Sequence, residues 1–172
     1  VTDPYYNRDN GVVYPFGYGL SYTTFTQKIS SFSESGNTVT VSVDVTNTGK
    51  VAGKDVVQLY YTAPYTDFDV ENMIEKSTVN LLDYGKTKLL EPGESDTFTI
   101  TFNKEDMASY CFTHDNGNGT KGCYVLEGGD YVISARSDSH NVLDEKTVTV
   151  ADTIWYDGSD EDHIRESDKN AQ

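Results

Sequence analysis

Apolar and polar residues alternate with a period of two along most of the chain. In residues 37–49, NTVTVSVDVTNTG, valine occupies every second position and is separated from the next by Thr, Ser or Asp. Successive side chains of a β-strand point to opposite faces, so this pattern predicts a strand with one buried and one solvated face. The expected inward residues are Val39, Val41, Val43 and Val45.

The same alternation recurs in the segments KDVVQLYYTAP, SDTFTITF, DYVISARS and EKTVTVA, each of which predicts a strand. A further strand or two is expected in residues 78–90. Turn residues such as Pro, Gly and Asn separate the segments. The expected inward side chains are Val57, Leu59, Tyr61, Phe98, Ile100, Phe102, Tyr131, Ile133, Ala135, Val148 and Val150.

Roughly seven short strands with little helix indicate an all-β fold. The one helical signal is NKEDMASY, which predicts a connector of one or two turns with Asn103 as its N-cap. We therefore predict a two-sheet antiparallel β-sandwich of the fibronectin type III or immunoglobulin type over residues 23–152. A closed barrel is the alternative, and the uneven spacing of the strands disfavours it.

Both flanks of the predicted sandwich lack the alternation. Residues 1–22 combine Tyr, Phe, Gly and Pro without a period, which predicts an irregular aromatic arm. Residues 153–172 are rich in Asp and Glu and poor in apolar side chains, which predicts an acidic linker or tail. Because the sequence starts at Val1, inside a turn-rich segment, we expect it to be a piece of a longer protein.

The chain is strongly acidic, with a formal net charge of −15 over 172 residues. Such a surface repels phosphate backbones and anionic lipids, so neither nucleic acid nor a membrane is expected as a partner. The sequence shows no targeting segment and no run of about 18 apolar residues. Cytoplasmic and secreted locations both remain open.

The aromatic arm suggests a contact surface. Four large rings stand close together in YPFGYGLSY, and Gly17 and Gly19 bracket one of them, Tyr18. Exposed clusters of large rings usually mark contact surfaces, so we predict that the arm packs against a neighbouring domain. The alternative is that the arm folds over the end of its own sandwich. The expected contact residues are Tyr14, Pro15, Phe16, Gly17, Tyr18, Gly19, Leu20 and Tyr22.

Three segments in succession, PFGYGLSYTTF, VTVSVDVTNTGKVAGKDVVQLYYTAP and KTKLLEPGESDTFTITFNKEDMASY, resemble the fibronectin type III-like domain of glycoside hydrolase family 3. This family contains β-glucosidases and β-xylosidases. The resemblance implies a non-catalytic accessory domain that packs against the catalytic barrel and α/β-sandwich domains of a β-glucosidase-like hydrolase. The family's nucleophile is an Asp in a Ser-Asp-Trp setting, and no Ser-Asp pair of this chain precedes Trp.

A loop in residues 62–77 is the candidate for the rim of the parent enzyme's substrate pocket. Its expected contact residues are Tyr65, Phe68 and Met73, which could instead form an oligomer contact. The alternative is a loop that is disordered or packs only on its own domain.

Two other classes of function fit the fold. A free-standing carbohydrate-binding module would need a planar row of exposed rings, for which Tyr60, Tyr61 and Tyr65 are the nearest candidates. A surface adhesion or spacer domain is the second alternative.

Cys111 and Cys123 flank FTHDNGNGTKG, which we predict to be a hairpin tip. The two thiols either form a disulfide, which would stabilise the fold by about 2–3 kcal/mol, or remain free. A structural zinc site needs four nitrogen or sulfur ligands, and this loop offers only His114 in addition to the two cysteines. The loop also lacks the acidic ligands of a calcium site. No metal or cofactor is therefore expected.

Overall fold

The computed structural model describes residues 23–169, and antiparallel strands make up most of this range. The strands are β1 (Phe25–Ser35), β2 (Thr38–Asn47), β3 (Val56–Thr62), β4 (Asn80–Lys86), β5 (Ser95–Asn103), β6 (Ser109–Asp115), β7 (Lys121–Leu126), β8 (Gly129–Asp138), β9 (Asn141–Val150) and β10 (Ile154–Tyr156).

Helical segments in this range are short. They are α1 (Asp67–Glu71), α2 (Glu166–Lys169) and two 3₁₀ turns, Lys104–Met107 and Glu161–His163. Within residues 23–169, no helix combines the length and apolar character that crossing a membrane requires.

Two larger sheets form the sandwich. The first sheet has the strand order β1-β2-β5, and the second has the order β4-β3-β8-β9. Their inner faces share one hydrophobic core, in which residues of β2 such as Val43 meet residues of β3 and β8 such as Leu59 and Ile133. The all-β sandwich predicted from the alternation is confirmed.

The alternation also assigned the inward residues correctly. The four valines of β2 are fully buried, because their neighbours on both sides, β1 and β5, present Ile29 and Ile100 to the same face. On the second sheet, Val57, Leu59 and Ile133 are fully buried as well. Burying an aliphatic side chain of this size contributes about 1.5–3 kcal/mol, so these two inner faces account for much of the driving force for folding.

A third, smaller sheet distinguishes the structure from the predicted two-sheet arrangement. It has the order β10-β7-β6 and was not foreseen as a sheet, although the predicted hairpin between the two cysteines is present as β6 and β7. Its strand β10 pairs Trp155 with Val125 and lies in the range assigned to an acidic tail. Trp155 supplies apolar surface there, and this explains why the chain continues as a strand.

The predicted helical connector is shorter than expected. Asn103 caps a single 3₁₀ turn over Lys104–Met107, with its backbone N–H donating to Asp106 Oδ2 at 2.9 Å. Strand β6 then begins at Ser109, so the prediction of helix at Ser109 and Tyr110 was wrong. Tyr110 pairs with Tyr124 across the hairpin, and this tertiary contact outweighs the weak local helix signal.

Asn47 joins three segments at one end of the sandwich. Its side chain is fully buried; Nδ2 donates to the carbonyls of Val51 and Leu90, and Oδ1 accepts from Thr23 Oγ1 and from the N–H of Gly49. The turn predicted after β2 is therefore held by an amide whose hydrogen bonds are satisfied on both sides.

A close approach between the two large sheets gives a first testable prediction. A Cβ added at Gly85 of β4 would collide with the ring of Phe98 on β5. We expect Gly85→Ala to destabilise the fold by about 1–3 kcal/mol, because a packed ring must move. Urea unfolding of Gly85→Ala, Phe98→Leu and the double variant tests this. The double variant should lose less free energy of unfolding than the two single variants lose in sum. Strictly additive losses would contradict the contact between Gly85 and Phe98.

Candidate functional site

The loop between β3 and β4 is the candidate site, because it carries all three residues predicted for a pocket rim. It runs through residues 63–79 and contains helix α1. Thr66 caps this helix: its backbone N–H donates to Asp69 Oδ2 at 2.8 Å, and the backbone N–H of Asp69 donates to the Thr66 carbonyl at 3.0 Å. This reciprocal capping fixes where the short helix begins.

A buried ion cluster holds the loop against the sandwich. Lys76 Nζ lies 2.7 Å from Asp69 Oδ1 and 3.0 Å from Glu127 Oε1, and it also donates to the carbonyl of Pro64 at 2.7 Å. Glu127 belongs to the turn between β7 and β8, and its Oε2 accepts from Thr66 Oγ1 at 2.9 Å. The side chains of Lys76, Asp69 and Glu127 are 6%, 0% and 5% exposed, so water scarcely reaches the charges.

Two carboxyl groups share one ammonium group in this cluster, and their pKa values move in opposite directions. Burial raises the pKa of Glu127, and its hydrogen bond with Asp69 raises it further. Burial opposes ionisation of Asp69 too, but hydrogen bonds with Lys76, Glu127 and Thr66 outweigh it and lower the pKa of Asp69. Asp69 is therefore the favoured anion, and Lys76 is its counter-ion.

Apolar contacts fix the second half of the loop. The ring of Phe68 lies 5.6 Å from that of Trp155, and Ile74 is buried against Cys111 and Val125 of the small sheet. Thr113 Oγ1 of β6 donates to the carbonyl of Asn72 at 3.1 Å. Helix α1 is thus held to the small sheet by packing and to the β7–β8 turn by charge.

Three apolar side chains of the loop are exposed among its acidic and hydroxyl-bearing residues. Tyr65, Val70 and Met73 are 62%, 61% and 68% exposed. Met73 also has a φ of 55°, a left-handed conformation that is uncommon for a residue other than glycine. The structure therefore exposes two of the three predicted rim residues, Tyr65 and Met73, while Phe68 packs inward on Trp155. The loop thus presents Tyr65, Val70 and Met73 to solvent on a backbone that the ion cluster holds in place.

Comparisons with known proteins agree with this fold. A model of the fibronectin type III-like domain matches residues 55–139. β-Glucosidase A of Butyrivibrio fibrisolvens is 44% identical over 135 residues, which cover 70% of this chain and 15% of that protein. A β-glucosidase of Kluyveromyces marxianus is 35% identical over 156 residues, which cover 90% of this chain and 17% of that protein.

Solved structures give the same result. β-Glucosidase 3B of Thermotoga neapolitana, in complex with α-D-glucose, superposes with a TM-score of 0.63 at 35% identity over 81% of this chain and 18% of that chain. A GH3 β-glucosidase of Bifidobacterium adolescentis gives a TM-score of 0.61 at 26% identity over 81% of this chain and 19% of that chain. The chain belongs to the fibronectin type III-like domains of glycoside hydrolase family 3. It spans less than a fifth of each of these relatives.

The rings proposed for a carbohydrate-binding module do not form a row in this fibronectin type III-like domain. Tyr60 lies on the outer face of the second sheet, whereas Tyr61 packs against the core, where burial raises its pKa. Tyr65 lies on the loop beyond the end of β3. A sugar ring stacked on Tyr60 would therefore lie on the opposite face of the sheet from Tyr61.

The predicted contact residues of the aromatic arm, Tyr14 to Tyr22, lie outside the residues that the structure describes. Their contact with a neighbouring domain therefore stays a prediction.

The two cysteines of the domain face each other across the small sheet. Cys111 on β6 and Cys123 on β7 are directly opposed, and both are buried free thiols. Burial raises the pKa of Cys123 to about 11. His114 was the third residue considered as a zinc ligand beside the two cysteines. Its ring stacks on that of Trp155, with 3.7 Å between the ring centroids.

Sequence reasoning missed the ion cluster. A Thr-x-x-Asp spacing at Thr66 and Asp69 was a weak capping signal, but nothing local pointed to Lys76 or Glu127. The two members of the Lys76–Glu127 ion pair are 51 residues apart in the chain. Only the packing of the β7–β8 turn beneath the loop brings them together.

The buried cation should be essential for stability. We expect Lys76→Met to lower the free energy of unfolding by about 3–5 kcal/mol, because it leaves two buried carboxyl groups without their counter-ion. Lys88→Met is the matched control: Lys88 pairs with Glu94 at 3.3 Å but is 59% exposed, so its loss should cost less than about 1 kcal/mol. Equal losses in urea unfolding would contradict the role assigned to Lys76.

Thiol titration tests the state of the cysteines. Because both thiols are buried and that of Cys123 is hard to ionise, we expect no reaction with DTNB in the native protein. In denaturant we expect both thiols to react, and Cys123→Ser should halve the signal. A chain that shows no reactive thiol even in denaturant without reductant would carry a disulfide between Cys111 and Cys123 instead.

Proposed function

We propose that the chain is a non-catalytic accessory domain of a β-glucosidase-type hydrolase, and that it packs against the catalytic barrel and α/β-sandwich domains of that enzyme. The observation that supports this most strongly is the rigid loop of residues 63–79, which exposes Tyr65, Val70 and Met73 on a domain that makes up less than a fifth of its β-glucosidase relatives. Exposed apolar side chains on a fixed backbone are suited to contact another surface.

The loop is proposed to form part of the rim of the parent enzyme's substrate pocket. The ion cluster beneath α1 fixes the loop before any contact forms, so little conformational entropy remains to be lost when substrate or a neighbouring domain meets it. Tyr65 and Met73 supply apolar surface that a sugar ring or another side chain can cover. Phe68 acts from below, through its packing on Trp155.

The carboxyl pair under the loop is not suited to glycoside hydrolysis. A retaining glycosidase places two carboxyl groups about 5 Å apart on either side of an open sugar site. Asp69 and Glu127 instead both contact the ammonium group of Lys76 and are 0% and 5% exposed, so no sugar can enter between them. Their role here is structural, and catalysis is assigned to the neighbouring domains.

The aromatic arm is proposed as the covalent connection that also fills the seam to the neighbouring domain. Phe16 and Tyr18 are its central rings. A large ring buried at such a seam contributes well beyond its neighbours to the contact energy, which makes these two positions the appropriate ones to substitute.

Substitutions in the full-length parent enzyme separate the two roles. We expect Tyr65→Ala and Met73→Ala to raise KM for an aryl β-glucoside by about two- to tenfold with little change in kcat, because they remove uniform binding contacts. Phe16→Ala and Tyr18→Ala should instead lower the parent's Tm by several degrees. Thr99→Ala, on the solvated face of the first sheet, is the control for both readouts. Unchanged KM and unchanged Tm across the four variants would contradict the proposed function.

A further inference from the structure

The two outer faces of the sandwich have different chemistry. On the first sheet, most outward side chains of β2 and β5 carry hydroxyls that hydrogen-bond across the two strands, such as Ser42 with Thr99 at 3.0 Å and Thr46 with Ser95 at 2.7 Å. Among the described residues, no large hydrophobic side chain of β1, β2 or β5 is exposed. The first sheet is therefore suited to face water.

The second sheet exposes large apolar side chains instead. Leu81 and Tyr84 of β4 pair with the outward residues Tyr60 and Gln58 of β3, and are 50% and 66% exposed. Val142 of β9, opposite Arg136, is 45% exposed. Side chains of this kind recur on β4, β3 and β9, so they form a surface and not an isolated exposed residue.

Polar groups on the second sheet are arranged before any partner binds. Arg136 Nε donates to Ser134 Oγ at 2.8 Å, and its guanidinium carbon lies 6.0 Å from the centre of the Tyr60 ring. Tyr60 Oη in turn donates to Gln58 Oε1 at 2.6 Å. Ser134 is fully buried beneath this layer. Tyr and Arg are among the residues that dominate contact energies between proteins.

We propose that the outer face of the second sheet, centred on Tyr84, Leu81 and Arg136, docks against a neighbouring folded domain of the same polypeptide. This inference rests on the proposed accessory function and names the surface that carries it. More than four-fifths of each curated relative lies outside the region that matches this chain. A parent polypeptide of that size would supply a neighbouring domain large enough to cover this face. The exposed loop joins β3 to β4, which makes the loop and the docking face parts of one continuous unit.

Electrostatics disfavour a second copy of the chain as the occupant. Each copy carries a formal charge of −15, so two copies repel. The partner surface that fits is an apolar hollow for Tyr84 and Leu81, bordered by carboxylates that face Arg136 and Lys86.

Cysteine labelling in the full-length polypeptide tests the assignment. Tyr84→Cys and Leu81→Cys probe the docking face, Thr99→Cys probes the first sheet, and Met73→Cys probes the loop. Each variant is labelled with a maleimide in native buffer and in denaturant, and the site is read by mass spectrometry. We expect the two docking-face cysteines to react about tenfold more slowly than Thr99→Cys in the native protein, and equally fast in denaturant. A single cooperative melting transition shows that each variant is folded.

The outcomes separate this inference from the proposed function. Docking-face cysteines that react as fast as Thr99→Cys, with Met73→Cys protected, would overturn the inference and leave the accessory role intact. Fast labelling at the docking face overturns the inference whether or not Met73→Cys is protected, and the KM and Tm measurements on the Tyr65, Met73, Phe16 and Tyr18 variants decide the accessory role separately. Protection that disappears on dilution, together with a dimer-to-monomer shift in light scattering, would assign the face to a second copy and overturn the inference as well.

Discussion

A two-sheet sandwich can bury only one face of each sheet, and this constraint organises the whole domain. The inner faces are filled by the valines of β2 and by Leu59 and Ile133 opposite them, so the fold leaves two outer faces without partners. One of these is covered with Thr and Ser whose hydroxyls bond to each other. The other carries Tyr84, Leu81 and Arg136. The difference cannot serve the folding of the isolated sandwich, because hydroxyl-bearing side chains would suffice on both faces.

The loop between β3 and β4 depends on a different interaction, the buried ammonium group of Lys76. Its helix has five residues, too few to be stable alone, so its conformation must come from tertiary contacts. Burying a charge is costly unless partners surround it, and here Asp69, Glu127 and a backbone carbonyl do so. A displaced loop would separate Lys76 and Thr66 from Glu127 of the β7–β8 turn and break the contacts that hold the two segments together. The cluster therefore favours one loop geometry, whatever its net contribution to stability.

The parts that sequence predicts well are the ones encoded locally. Period-two alternation identified Val39, Ile100 and Ile133 as inward residues, because the buried face of a strand is visible in a few consecutive residues of the sequence. Local sequence wrongly predicted a helix at Tyr110, because cross-strand pairing with Tyr124 outweighs the weak helix signal there. It could not reveal Glu127 as a partner of Lys76, since the pairing exists only after distant turns have packed. The alternation also did not predict the small sheet, because its strand β10 is short and lies within an acidic segment.

Placing the loop and the proposed docking face on one unit has a mechanical consequence. Strands β3 and β4 pair from Val56 to Tyr61 with a bulge after Leu59, so the loop extends from a sheet whose orientation the docked face would set. A contact at Tyr84 then fixes the direction in which Tyr65 and Met73 project, even though no side chain links the two sites directly. Mutations on the docking face should act on substrate binding through rigid-body tilt of the sandwich, and those in the loop through lost contact alone. This gives the second sheet's unusual outer surface a role that neither the fold nor its stability requires.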